Sequence, residues 1–226
     1  MPLVALLLLL QETTAESRPL AIPPGPPIEL DGKLGEAEWQ GALRQELTGG
    51  GELFLRHDGK LVYLGLRGPK PGWTHVYLGG EDEVRVLHAS AALGTATYQK
   101  DDLGAWQPTR AFPARDAWKL RSAELTPQMK VAREEHLIAE RWVASNTSMG
   151  ARECEFVLDR RLFSPSTRLA LAYVSNPTAP SYWPARLADD CRKRELVTGT
   201  TPPDLAFAPE TWERLEFTPA AAVPPK

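Results

Sequence analysis

Four tryptophans stand in segments rich in proline, glycine and charge, where an indole ring can face solvent. They are Trp73, Trp106, Trp118 and Trp183. A flat indole face packs against the C–H side of a pyranose ring, while planar polar groups bind the sugar hydroxyls. The pattern predicts a saccharide site that uses a subset of these rings, with Trp73 as the first choice. The competing interpretation is that each ring closes one end of a hydrophobic core, which is the commoner position of tryptophan.

The other groups able to do chemistry lack the spacing of a known site. His57, His75, His88 and His136 do not have the spacing of zinc ligands. Acidic pairs or triplets at residues 81–83, 101–102 and 189–190 match no calcium loop with fixed ligand positions. We therefore expect solvated charge there, with a structural calcium ion as the alternative.

Motifs for covalent or phosphoryl-transfer catalysis are absent. The chain has no nucleophile elbow and no phosphate-binding loop. The carboxylates of a glycosidase meet in space and leave no fixed spacing in a sequence. We expect a protein without catalytic activity.

Composition excludes several classes of protein. The 226 residues include 26 Lys or Arg and 29 Asp or Glu, so the basic surplus of a nucleic-acid-binding protein is missing. A hydrophobic fraction of 42% excludes disorder over most of the chain. Two cysteines are too few for a disulfide scaffold.

The two cysteines leave two interpretations open. In an oxidising compartment, Cys154 and Cys191 would close a loop of 36 residues, which adds about 3 kcal/mol of stability. Alternatively Cys154 is a buried free thiol, because it shares a strand face with Phe156 and Leu158.

The apolar run at residues 3–10 is too short to span a bilayer as a helix. It is typical of the core of a secretory signal and is followed by the small residues Ala15 and Ser17, although no Lys or Arg precedes it. We predict a signal peptide over residues 1–17 and an exported protein, periplasmic or extracellular, with no membrane span. A wrongly assigned start codon ahead of a cytosolic protein is the alternative.

Proline-rich segments flank the predicted domain. Prolines fix φ and remove backbone donors, so residues 18–27 are predicted to form an extended linker. Residues 219–226 are predicted to be a flexible tail. The folded domain is therefore expected over residues 28–218.

Alternating apolar and polar residues predict strands through most of this domain. Runs at residues 53–56 and 62–67 flank Asp58-Gly59, which predicts a hairpin with a type I′ turn. Further strands are predicted over residues 84–88, 95–99, 116–122, 153–158, 169–174 and 215–217.

One segment has the signals of a helix. Thr126 is a suitable N-cap, Pro127 suits the first helical position, and residues 129–140 are good helix formers without a broad apolar stripe. A second short turn is predicted over residues 159–164. The predicted fold class is mainly β, an antiparallel β-sandwich with one or two short surface helices.

Two stretches carry a resemblance to a known family. IELDGKLGEAEW at residues 28–39 and FLRHDGKLVYLGL at residues 54–66 resemble the opening of family 9 carbohydrate-binding modules and the DOMON-like domains similar to them. Looser similarity continues at residues 83–87, 155–158 and 211–217. The resemblance implies a jelly-roll sandwich that binds saccharides, often beside glycoside hydrolases and in some members with structural calcium. Trp39, which ends the first stretch, is expected to be a buried plug.

The resemblance also suggests a ligand site. In that family two tryptophan rings clamp the sugar, and polar strand residues bind its hydroxyls. Trp73 stands where one ring is implied, Phe207 where the second is implied, and Arg85 in place of a strand glutamate. Trp183, one of the four tryptophans named above, is added to these three residues to give the predicted ligand site. The expected ligand is an oligosaccharide or polysaccharide, and the protein is expected to be a monomer.

Two other functions stay open. A sandwich that has lost the clamp would be a structural or protein-interaction domain, which Arg85 and Phe207 favour. A haem-binding domain of the DOMON type would need Met and His axial ligands, for which Met129 and Met149 are available.

Overall fold

A computed structural model of the chain describes residues 18–90, 93–110, 126–145, 151–175, 180–185, 187 and 207–219. These residues form two β-sheets that pack face to face, with one α-helix beside them. The predicted mainly β sandwich is therefore confirmed, while the jelly-roll order of its strands stays a prediction. The strand predicted over residues 116–122 lies outside the described residues.

The strands follow one another along the chain with only short connections in most places. In chain order they are β1 Leu20–Ile22, β2 Leu43–Glu46, β3 Glu52–His57, β4 Leu61–Arg67, β5 Trp73–Gly79, β6 Glu83–Ala89, β7 Leu93–Lys100, β8 Trp106–Arg110, β9 Trp142–Ala144, β10 Glu153–Asp159, β11 Arg168–Val174, β12 Ser181–Trp183 and β13 Glu213–Phe217. Sheet A has the order β1-β13-β11-β5-β6-β7-β8, with β12 also paired to β11. Sheet B has the order β2-β3-β4-β10-β9. Pairing is antiparallel except between β1 and β13.

Both sheets are covered on both faces. Their inner faces meet in the main core, where the Trp142 indole of sheet B donates a hydrogen bond to Thr95 Oγ1 of sheet A at 2.9 Å. The outer face of sheet A carries a second apolar cluster, which Leu187, Phe207 and Trp212 join from outside the sheet. Most aromatic rings are thus enclosed, so only a few positions present a ring to solvent.

The predicted hairpin is confirmed as β3 and β4, but its turn differs from the prediction. Asp58 and Leu61 face each other, and Asp58 Oδ1 accepts hydrogen bonds from the backbone N–H groups of Lys60 and Leu61. Gly59 has a φ of 94° and Lys60 does not have a positive φ. A single positive φ at the first central position is typical of a type II′ turn, so the type I′ assignment is wrong.

The predicted helix is confirmed as α1 Pro127–Glu140. Thr126 Oγ1 accepts a hydrogen bond from Met129 N, and Pro127 occupies the first turn as expected. The helix lies on the surface beside β9, with Ile138 exposed to solvent and Met129 buried. Within the described part of the chain, no helix has the length and apolar character that crossing a bilayer requires.

Part of the predicted linker belongs to the folded unit. Within residues 18–27, Leu20–Ile22 forms β1 and pairs with β13, and the Ile22 side chain is completely buried. Pro24 continues the contact by pairing with His57 of sheet B. The prolines restrict β1 to three residues at the edge of sheet A, because they lack the N–H that a central strand must donate. The fold therefore begins before Ile28.

The opening segment, residues 28–39, covers the outer face of sheet B. Trp39 is 2% exposed and packs against Phe54, which confirms it as a buried plug. The buried Glu155 carboxyl of β10 holds the segment from beneath: Oε2 accepts from Gly32 N at 2.7 Å and Oε1 from the Trp39 indole at 3.3 Å. Burial raises the pKa of Glu155 to about 8.

Three further residues of sheet B hold the opening segment in place. Glu153 Oε2 accepts a hydrogen bond from Leu34 N at 3.0 Å, while Arg67 donates to Glu153 Oε1 at 2.7 Å. Gly65 lies under the segment so closely that a Cβ there would be 2.6 Å from Leu34 and 3.0 Å from Trp39. The opening segment therefore depends on two glutamates and one glycine of the central strands.

We expect Glu155→Gln to change how stability depends on pH. Between the ordinary pKa of 4.5 and the folded value of about 8, the folded chain keeps a proton that the unfolded chain releases. The free energy of unfolding of the wild type therefore falls as pH rises, by at most about 5 kcal/mol from this residue. The variant has no carboxyl group to titrate at this position. Its free energy of unfolding, measured by urea unfolding between pH 5 and 8, should therefore change less with pH than that of the wild type.

Glu153→Gln is the matched control on the same strand face. Burial alone would raise the pKa of Glu153, but hydrogen bonds from Leu34 N and Arg67 lower it overall. Its contribution to stability is present above the ordinary pKa and is lost only at more acid pH. Glu153→Gln should therefore change the free energy of unfolding by a similar amount at every pH between 5 and 8, without changing how it depends on pH. Equal slopes in the wild type and Glu155→Gln would contradict the assignment.

Gly65→Ala should loosen the opening segment, because its added methyl group overlaps Leu34 and the Trp39 ring. We expect a loss of roughly 1–3 kcal/mol in the free energy of unfolding. Gly35→Ala, whose Cβ would meet nothing closer than 3.8 Å, should cost no more than about 0.5 kcal/mol. Similar losses in the two variants would show that the close approach at Gly65 is not what holds the segment.

Candidate functional site

Trp73 is the first residue of β5 and lies on the outer face of sheet A. The face follows from strand alternation, since Trp73 and His75 share a side with Tyr77, which packs in the outer cluster. The sequence pattern predicts no strand between residues 67 and 84, whereas β5 occupies Trp73–Gly79. The Trp73 ring is half-buried, and its Nε1 is buried without a hydrogen-bond partner among the described residues.

Two histidines lie beside Trp73 on this face. His75 follows two positions along β5, and the register of the sheet places it directly opposite His88 of β6. Their ring centroids are 4.8 Å apart at an interplanar angle of 43°. His88 Nε2 is 2.8 Å from Ser90 Oγ. We call Trp73, His75, His88 and Ser90 the histidine cluster.

Burial keeps both imidazoles neutral at physiological pH. His75 is 2% exposed, and desolvation, helped by the neighbouring His88, lowers its pKa well below the ordinary value. Desolvation also lowers the pKa of His88, to about 4. A neutral imidazole offers one N–H donor and one lone pair, so the pair can bind a hydroxyl group or a metal ion.

Two side chains of this cluster, Trp73 and His75, have buried polar atoms that stand unpaired among the described residues. Neither ring nitrogen of His75 has a hydrogen-bond partner in the described part of the chain, and the same holds for Trp73 Nε1. Leaving a buried polar group unpaired costs about 1–3 kcal/mol. Buried groups of this kind are typical of sites completed by water, an ion or a ligand. The histidine cluster is therefore the candidate binding site.

Trp183 does not face Trp73. It belongs to β12, opposite Leu171 of β11, and it packs in the main core on the inner face of sheet A with 5% of its surface exposed. Trp73 lies on the outer face of the same sheet. The pairing of these two rings around one ligand is therefore not formed.

Phe207 is also enclosed. Its ring lies among Tyr77, Tyr98, Trp106 and Trp212, with centroid distances between 5.0 and 6.3 Å. The Trp106 indole donates to Phe207 O at 2.9 Å. Phe207 and Trp106 thus close the outer cluster of sheet A and do not form the second wall of a sugar clamp. Trp118 lies outside the described residues.

Arg85 is distant from Trp73. It lies opposite Leu78 in the register of β5 and β6, on the inner side of the sheet, about five residues or roughly 17 Å along the strands from Trp73. There it lines a separate groove of about 230 Å³ with Arg141 and Arg161. Its guanidinium lies 3.5 Å from the Glu83 carboxylate. Arg85 therefore does not contribute to the histidine cluster.

Cys154 is completely buried on the inner face of β10. Burial raises the pKa of its thiol to about 12, and the Sγ donates to Ser145 O at 3.3 Å. A thiol in this environment is unreactive at neutral pH. Its predicted partner Cys191 lies outside the described residues, so the disulfide stays a prediction.

The remaining candidate ligands are partly used by the fold. Asp101 Oδ1 accepts from the backbone N–H groups of Leu103 and Ala105, so this carboxylate shapes its own turn. Residues 189–190 lie outside the described residues, and structural calcium stays a prediction. Met129 packs into the main core, while Met149 is outside the described residues.

The histidine cluster is the part of the site that spacing rules do not detect. His75 and His88 are thirteen residues apart, which matches no metal motif. Their contact follows from the register of two antiparallel strands joined at residues 80–82. A strand predicted at β5 would place His75 opposite His88. The residues of β5 are buried on both faces, however, so its sequence lacks the alternation of polar and apolar residues that predicts a strand.

Comparisons of the chain with protein-family models, curated proteins and solved structures found no match.

Trp73 and Trp183 differ in burial, so replacing each by alanine should lower the free energy of unfolding by a different amount. Trp183→Ala removes a ring from the main core and should lower the free energy of unfolding by about 3–5 kcal/mol. Trp73→Ala removes a half-buried ring and should cost no more than about 2 kcal/mol. Urea unfolding at pH 7 compares them. A larger loss for Trp73 than for Trp183 would contradict the assigned faces.

Proposed function

We propose that the chain is a non-catalytic binding domain that holds a saccharide against Trp73 at the histidine cluster. One observation carries the proposal. Of the six tryptophans that the structure describes, Trp73 alone is not buried, and it adjoins the neutral His75–His88 pair. Two further predictions belong to the same proposal: export, which the apolar run at residues 3–10 indicates, and a link to glycoside hydrolysis, which the resemblance implies.

The chemistry of the cluster suits a sugar. The exposed part of the Trp73 ring offers a flat apolar face to the C–H side of a pyranose. Its indole N–H and the imidazole nitrogens of His75 are buried and unpaired among the described residues, so a saccharide hydroxyl that reaches this edge of the cluster would serve them as donor or acceptor. In this proposal the imidazoles take the hydroxyl-binding role that the sequence assigns to Arg85.

A single platform limits the affinity. Trp183 and Phe207 are enclosed elsewhere, so the proposed ligand rests on one ring instead of between two. We expect a dissociation constant on the order of 1 mM, which corresponds to about 4 kcal/mol of binding free energy.

The same enclosure favours a second candidate function. A sandwich whose aromatic rings mostly stabilise its core serves as a structural or protein-interaction domain. Phe207 was predicted to be the second ring of the clamp and Trp183 a further ring of the site, and the burial of both is the observation behind this alternative. A crosslinked partner in the exporting compartment, together with no response to sugars, would favour it over saccharide binding.

Nuclear magnetic resonance tests the saccharide proposal at the expected affinity. The seven tryptophans give seven indole N–H signals, and Trp73→Phe identifies one of them by its loss. Titration with xylo- and cello-oligosaccharides to about 10 mM should shift the Trp73 signal, with the signals of the enclosed rings changing little. Heat of binding in calorimetry should disappear in Trp73→Ala.

Leu103→Ala is the matched control, because Leu103 is an exposed apolar residue that follows the end of β7 at Lys100, whereas His88 pairs with Gly94 near the start of that strand. It should bind as the wild type does. No shift of the Trp73 signal with any saccharide tested would refute the proposal and favour the protein-interaction alternative.

A further inference from the structure

We propose that His75 and His88 together bind one divalent transition-metal ion of the class that prefers imidazole nitrogen, represented by Cu²⁺, Ni²⁺ and Zn²⁺. Such ions favour neutral imidazole over water and carboxylate ligands. The proposal goes beyond saccharide binding and does not depend on it.

The sheet fixes the two rings relative to each other. β5 and β6 pair without interruption from Thr74 opposite Ala89 to Gly79 opposite Val84, and His75 is the direct partner of His88. Side chains of directly opposed residues start from Cβ atoms about 4.5–5.5 Å apart. β11 on one side and β7 on the other hold both strands in the middle of sheet A. The pair is therefore positioned by a rigid backbone and not by a loop.

The distance between the rings matches two ligands of one ion. An imidazole nitrogen lies about 2.0–2.1 Å from a bound metal, which places the ring centre roughly 3.2 Å from the ion. When the nitrogen–metal–nitrogen angle lies between a right angle and the tetrahedral angle, the centres of the two rings are about 4.5–5.2 Å apart. The observed separation of 4.8 Å lies within this range.

The protonation state and surroundings of the rings suit a metal. His75 is buried, and both of its nitrogens lack a hydrogen-bond partner in the described residues, so a lone pair is available to an ion. Ser90 Oγ lies 2.8 Å from His88 Nε2, a polar contact of the kind that orients a metal-binding imidazole.

The two histidines supply two ligands to the ion, and its remaining coordination positions are left for solvent or a small molecule. Within the described ranges, no group of three His, Cys, Asp or Glu side chains is close enough to hold an ion. Incomplete protein coordination is typical of metal sites that keep an exchangeable position. Trp73 lies on the same face two residues from His75, so a paramagnetic ion at the pair should quench its fluorescence.

Cu²⁺ titration of the untagged full chain tests the proposal by electron paramagnetic resonance. The wild type should bind one Cu²⁺ with hyperfine structure from two imidazole nitrogens. His75→Gln and His88→Gln should each weaken binding by at least about tenfold, a loss typical of a damaged metal site. His136→Gln, which alters a half-buried histidine on α1, is the matched control and should bind as the wild type does.

A second measurement does not depend on the variants folding. Zn²⁺ or Ni²⁺ should raise the midpoint of thermal unfolding of the wild type, and Mg²⁺ at the same concentration should not, because binding stabilises the folded state alone. Binding that persists in the double variant His75→Gln/His88→Gln would overturn the proposal. So would no binding of any of the three ions by the wild type at concentrations up to about 1 mM. Saccharide binding is measured separately in metal-free buffer, so either proposal can fail without the other.

Discussion

The buried carboxyl of Glu155 joins the start of the domain to the centre of sheet B. It accepts hydrogen bonds from Gly32 N and the Trp39 indole, so the opening segment lies flat across the outer face of the sheet. The inner faces of both sheets fill the main core, and Phe207 and Trp212 cover part of the outer face of sheet A. With these surfaces closed, the head of β5 is one place in the described part of the chain where a half-buried ring, that of Trp73, lies beside unpaired polar groups.

This arrangement gives a physical meaning to the resemblance. The residues that carry it are those that hold the opening segment against sheet B: the segment ends in Trp39, Gly65 of the hairpin admits it, and Glu155 binds it. Such residues report the packing of the first half of the sandwich. They say little about a ligand, because binding residues stand on parts of the fold that vary independently of its core.

Local signals predicted the elements whose pattern is complete within a few residues. The hairpin of β3 and β4, strand β10 and helix α1 carry their alternation, turn or cap in their own sequence. β5 was missed because sheet partners and the outer cluster bury both of its faces, which removes the polar alternation. β1 was missed because its three residues pair with β13, almost two hundred positions away.

The same distinction applies to the site. The residues that flank Trp73 predicted a ring open to solvent, and the ring is half-buried. The enclosure of Trp183 and Phe207 depends instead on which parts of the fold cover them. The contact of His75 with His88 is a consequence of strand register, which no short-range spacing rule contains.

His75 stands apart from the remainder of β5. Its neighbours Val76 and Leu78 fill the main core and Tyr77 fills the outer cluster, each in an environment that suits an apolar or amphipathic side chain. An imidazole buried at the same depth loses its hydration, and no hydrogen bond within the described fold offsets that loss. A valine at this position would serve the sheet better. When one residue breaks the rules that its neighbours obey, the expected reason is function, and the proposed ligand of the imidazole nitrogens would supply that reason.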